Sequence, residues 1–126
     1  MKQLLSVLVV GCGLAAAQAN AACDYPVAPG KFPDGTQASK DEMVTAKNSV
    51  VKYNADMEAY LVCINSEYDA KIAAETQITP AQKADIDRVQ KQKQDAAIKE
   101  VTDVTERFNE QLRAYKAKIA AEKKPS

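Results

Sequence analysis

The sequence predicts an all-α fold: a long antiparallel hairpin of two helices, coiled-coil-like, with an extended proline-rich N-terminal strap disulfide-linked to the first helix. Three observations carry this. Two stretches, from Lys40 to about Thr76 and from Pro80 to about Glu122, hold no interior Pro or Gly and repeat apolar residues at helical spacing. Only a short connection of two to four residues separates them, so the helices must run side by side in opposite directions. Two cysteines, Cys23 and Cys63, remain once a leader segment is set aside.

That leader is residues 1–21. Met1-Lys2 precedes the apolar run Leu4 to Val10, small residues follow, and Ala19-Asn20-Ala21 is an A-x-A cleavage site. This is the layout of a secretory signal peptide, and the apolar run is too short for a spanning helix. A periplasmic or secreted location follows as the expectation, with disulfides permitted there. Val9-Val10-Gly11-Cys12 also fits a lipoprotein box, as does Asn20-Ala21-Ala22-Cys23 more poorly. Cleavage near Ala21 is preferred, because the apolar stretch before Cys12 is short and Asn20 replaces a large apolar residue.

Residues 22–38 form the strap. Three prolines and two glycines rule out helix there, and Pro33-Asp34-Gly35 marks a turn. Extended or polyproline II backbone is expected before that turn.

The hairpin occupies residues 39–126, with helices over about 40–76 and 80–122. Ser39 followed by Glu42 is a capping box, and Met43, Ala46, Val50, Tyr53, Met57, Leu61, Ile64, Tyr68 and Ile72 form one stripe. Thr79, Pro80 and Gln82 make a second box with Pro at the first helical position. The second stripe runs Ile86, Val89, Ala97, Val101, Val104, Phe108, Leu112, Tyr115 and Ile119. Residues 90–95 interrupt it with polar side chains, either lysine stems covering the seam or a hydrated stretch used for binding.

A Cys23–Cys63 disulfide is the default pairing and has a geometric consequence. Cys63 lies 24 residues beyond Ser39, about 36 Å along a helix. The 16 residues from Cys23 to Ser39 reach at most about 53 Å. The strap must therefore double back along the helix, fairly extended, and the small residues Ala59, Ser66 and Ala70 beside Cys63 let it approach. Val44, Val51, Ala55 and Val62 form a milder second stripe on the first helix, to be covered by the strap or by a second copy.

Composition excludes several functions. No histidine is present, which removes Ser-His and Cys-His nucleophilic sites and the usual proton shuttle near neutral pH. The formal net charge is +0, which does not suit nucleic-acid binding. No metal or cofactor site is expected, since the thiol spacing is not that of a zinc site. Residues 22–78 carry 9 acidic and 5 basic groups and residues 79–126 carry 8 and 11, so ion pairing between the helices is expected. Asp41/Glu42 and Asp85/Asp87 fall in first helical turns, where carboxylates suit the helix dipole without any acid–base role. Lys116, Lys118, Lys123 and Lys124 give a basic C-terminal end, favourable for the dipole and also able to touch an anionic membrane surface.

Two resemblances add to this reading. Cys23-x-Tyr25-Pro26, Pro33-Asp34-Gly35, Tyr60-Leu61-x-Cys63 and the run Arg107 to Lys116 resemble a group of small secreted proteins of Gram-negative bacteria. That likeness covers most of the mature chain, supports the paired cysteines and implies no catalytic residue. Ile78 to Gln82 is similar to the Leu-Thr-x-x-Gln signature of CpxP/Spy-type periplasmic stress proteins, which implies binding of unfolded clients; the same residues are also what a capped helix start requires. The functional expectation is a non-enzymatic exported interaction or structural protein of the bacterial cell envelope, with a protein partner or self-association. The alternative is a client-binding, chaperone-like periplasmic protein.

Overall fold

Each helix starts where local chemistry dictates. In the computed structural model, which describes residues 22–124, α1 spans Lys40–Ala74 and α2 spans Pro80–Glu122. The expected signal peptide, with Cys12 inside it, lies outside the described residues. Ser39 Oγ accepts the Glu42 N–H at 3.2 Å while the Glu42 carboxylate accepts the Ser39 N–H at 2.8 Å. Thr79 and Gln82 repeat the arrangement, at 3.2 and 2.9 Å, with Pro80 at the first helical position. Both capping boxes thus form as the sequence predicts. Ser39→Ala and Thr79→Ala are each expected to cost about 1 kcal/mol, the usual worth of an N-cap oxygen. Urea unfolding midpoints checks this; midpoints equal to the parent would refute it.

The helices run antiparallel as a hairpin. α1 ends two residues before the expected Thr76, so the connection is Glu75–Thr79, five residues long. Gln77 and Thr76 carry no apolar side chain to hold another turn against α2. α2, at 43 residues, outreaches the 35 of α1. The surplus turns lie at the open end of the hairpin, where they meet the strap.

The core lies on the predicted α1 stripe. Met43, Ala46, Val50, Tyr53, Met57 and Ile64 are buried, with Met57 and Val104 fully enclosed. One position shifts: Tyr60 is buried where the stripe named Leu61, because the strap packs on that flank of α1. From α2 only Ala97, Val104 and Phe108 are fully in the core, while the strap adds Phe32 and Ala38. Toward the connection no residue beyond Ile64 on α1, or before Ala97 on α2, is buried. The hairpin is therefore three-layered at its open end and two-layered at its tip.

The expected interhelical ion pairs do not form. Among the described residues every ion pair lies within one helix: Lys52–Asp56 in α1, and Lys83–Asp87, Asp85–Arg88, Lys91–Asp95 and Lys99–Asp103 in α2. Side chains three and four residues apart already meet on a helix surface, and the carboxylates and ammonium groups here find those nearer partners. Such exposed pairs are worth only tenths of a kcal/mol.

Candidate functional site

The strap and the channel it fills are the most elaborated part of the molecule. Cys23 and Cys63 are disulfide-bonded, with Cα atoms 5.8 Å apart. From there the strap runs toward the open end along the groove between the helices. Tyr25 stacks edge-on against Tyr60 at 4.9 Å and donates its hydroxyl to Glu100 at 2.6 Å. Partial burial of the ring, and then the Glu100 carboxylate, raise its phenol pKa above the ordinary 10.0. Phe32 meets Phe108 edge-on at 5.7 Å, and the Arg107 guanidinium lies 5.7 Å from the Phe32 ring centre. Gly35 N–H donates to Gln111 Oε1 at 2.9 Å, and Lys118 Nζ donates to the Ala38 carbonyl at 2.5 Å.

Asp34 shapes the end of the strap. Its carboxylate accepts from the Thr36 hydroxyl and backbone N–H, at 2.8 and 2.9 Å, and its carbonyl accepts from Gln37 and Ala38. The predicted turn is thus an Asx-type turn that delivers the chain to the Ser39 cap. Between Pro29 and Asp34 the strap arches away from the first turns of α1, leaving an open hollow of about 800 Å³.

One sequence expectation about the strap needs correction. It does not cover the second stripe: Val44, Val51 and Val62 are 46%, 58% and 66% exposed, and Ala55 is exposed as well. The strap lies on the opposite flank, where aromatic side chains and the disulfide hold it, and its own Val27 points to solvent. Of the small residues expected to admit it, Ala59 lies beside it, with Asp24, Tyr25 and Pro26. Beside Cys63 the other neighbour is Glu67, which accepts the Cys23 N–H at 3.2 Å.

Sequence reasoning also missed the anchors on α2. Glu100, Arg107, Gln111 and Lys118 repeat at intervals of seven, four and seven, one stripe beside the apolar one. That spacing was the available signal.

Beyond Cys23 the channel continues empty. A groove of about 280 Å³ is lined by Ile64, Tyr68 and Lys71 from α1 and by Ile86, Val89 and Lys93 from α2. The polar interruption at 90–95 is ordinary helix. Gln90 and Gln94 both donate to Asn65 Oδ1, at 2.8 and 2.7 Å, so these residues clamp the helices together. Lys91 pairs with Asp95 outside, and Lys93 lines the groove.

At the tip Asp87 accepts from Lys83 at 2.7 Å and from the Tyr68 hydroxyl at 2.6 Å. The Lys83 bond, then that of Tyr68, holds the Asp87 carboxyl below its ordinary 3.8. The Ser39 backbone and side chain lower Glu42 from 4.5, and the Thr36 side chain and backbone lower Asp34 from 3.8. A carboxyl with a depressed native pKa adds stability above its unfolded value and loses it as pH falls through the native one. The melting temperature should thus hold from neutrality to the ordinary carboxylate range and drop below it. A Glu42→Gln/Asp87→Asn variant should melt lower at pH 7 and show a flatter acid limb; an acid limb as steep as the parent's would contradict the assignment.

Tyr53, 2% exposed, has its phenol pushed up to about 12 by burial and then by the nearby Glu100. Its hydroxyl and Asn54 Oδ1 are buried without a hydrogen-bond partner among the described residues. Ligand-type side chains gather only at Cys23, Cys63 and Glu67 among the described residues, and both sulfurs there are joined to each other. No helix among the described residues is long and apolar enough to cross a membrane.

Fold and channel define an all-α hairpin clipped by one disulfide to an extended strap. Comparison with family models, with curated proteins and with solved structures finds no match to this chain.

Proposed function

We propose that this chain is an exported, non-enzymatic interaction protein of the bacterial cell envelope. The observation that carries the reading is the uncovered valine stripe. Val44, Val51, Ala55 and Val62 span about half the length of α1 and stand exposed on a scaffold whose other flank is closed by the strap. Isolated surface apolar residues are common, but an aligned row on a stiff helix is what partner helices pack against. Export is supported by the leader-like first 21 residues and by the disulfide, which persists in oxidising compartments.

A photo-crosslinking residue at position 51 should yield adducts in intact cells, while the same residue at the outward Lys99 should not. Equal, background-level labelling at both positions would overturn the reading. The exported form should also start near Ala22 and carry no free thiol.

The stretch of channel toward the tip, beyond the strap, favours a second reading, a client-binding, chaperone-like protein. A groove that accepts an extended, aromatic-bearing strap along half its length could accept an extended client along the rest. Suppression of aggregation of an unfolded model substrate, weakened by Val89→Asp, is the expected result; no suppression would end this reading.

A further inference from the structure

We infer that the valine face is a self-association surface, on which a second copy of this chain docks back to back and antiparallel. The inference rests on the interaction reading and specifies its partner. Val44, Val51, Ala55 and Val62 fall within an arc of about 40° on an ideal helix, so they form one row. Asn65, one turn beyond Val62, is bonded to Gln94, one turn before Ile98. That bond sets Val62 and Ile98 (56% exposed) at about the same level along the hairpin. Thr105 and Leu112, at seven-residue steps from Ile98, are half-buried, with Leu112 packed on the chain's own core, so Ile98 is the exposed apolar residue that α2 adds at this level.

Two features identify the occupant. The first is the internal symmetry of the row. Intervals of seven, four and seven read the same in both directions. A two-fold axis between Val51 and Ala55 therefore sets Val44 against Val62 of the second copy and Val51 against its Ala55. This self-matching is what a two-fold interface requires.

The second is charge. Lys40 and Lys47 flank the row toward the open end, and Glu58 and Asp69 flank it toward the tip, all exposed. None of the four belongs to an ion pair among the described residues. The same axis brings Lys47 to Glu58 of the other copy, while Lys40 and Asp69 extend the basic and acidic ends of the row beyond that pair. A parallel arrangement would oppose like charges at every one of these positions. Two hairpins joined this way bury both rows against each other and add apolar contact to a chain whose own core is thin, while the straps remain outside the contact.

Sedimentation of the exported, oxidised protein tests this. A reversible monomer–dimer equilibrium is expected, and Val51→Asp should leave a monomer with parent-like helical circular dichroism. Lys47→Glu and Glu58→Lys should each weaken the dimer about tenfold, because two symmetry-related contacts turn repulsive. The double variant, with the charges exchanged, should recover parent affinity. A monomer at every concentration reached would overturn the inference, and so would a dimer indifferent to Val51→Asp or singles that match the parent. If the protein is monomeric while position 51 crosslinks a different protein in cells, the interaction reading stands and self-association falls.

Discussion

Replacing both Cys23 and Cys63 by serine is expected to lower the free energy of unfolding by about 4 kcal/mol, on the loop-entropy estimate for a closed loop of this length. The bridge spans a sequence separation of 40. Without it the unfolded chain recovers the freedom of that loop, while the native strap keeps only its non-covalent anchors. Those anchors are two edge-on aromatic contacts, the Arg107 guanidinium over the Phe32 ring, and single hydrogen bonds with Glu67, Glu100, Gln111 and Lys118. The net stability of a domain is commonly 5–15 kcal/mol, so about 4 is a large share for a hairpin with so few buried residues. Helix content should survive in the variant, because caps and the α1–α2 seam are independent of the bridge. Protection of the Gly35 amide from hydrogen exchange should fall sharply. A chemical denaturation midpoint equal to the parent's would show that the bridge is ornamental.

The second large effect is expected at a residue without a side chain. A Cβ on Gly35 would lie 1.9 Å from the Gln111 carbonyl oxygen, 2.8 Å from Tyr115 N and 2.9 Å from the Gln111 carbonyl carbon. All three atoms are backbone in the middle of a helix, which cannot move aside as a flexible side chain can. No glycine among the described residues has positive φ, so close approach, not backbone conformation, requires glycine here. Gly35→Ala should therefore lift the strap turn off α2, lose the bond to Gln111 and cost about 3 kcal/mol, at the upper end of ordinary overpacking. Gly30 provides the control, since an added Cβ there meets nothing within 4 Å. Gly30→Ala should stay within about 0.5 kcal/mol of the parent. Equal stability of the two variants would mean that the strap does not seat on α2 as described.

Much of the candidate site could be read from particular residues before any coordinates. The capping boxes at Ser39 and Thr79 were legible because each is closed by groups three residues apart. The bridge was legible because only two cysteines remain beyond the expected leader. What could not be read was the flank. Val62 and Cys63 are neighbours in sequence, yet successive helical residues point about 100° apart, so the strap takes one side and leaves the other bare. Tyr25 and Phe32 decide that choice by finding Tyr60 and Phe108, partners 35 and 76 positions away.

Sequence alone determined the two rods, their ends, their antiparallel course and the covalent tie, since these follow from short-range chemistry, periodicity and chain reach. Tertiary structure alone decided which groove the strap fills, why Gly35 must be glycine, that charges pair along helices and not between them, and that a row of valines faces outward. Each of those outcomes depends on which distant side chains share a surface, and no local pattern carries that information.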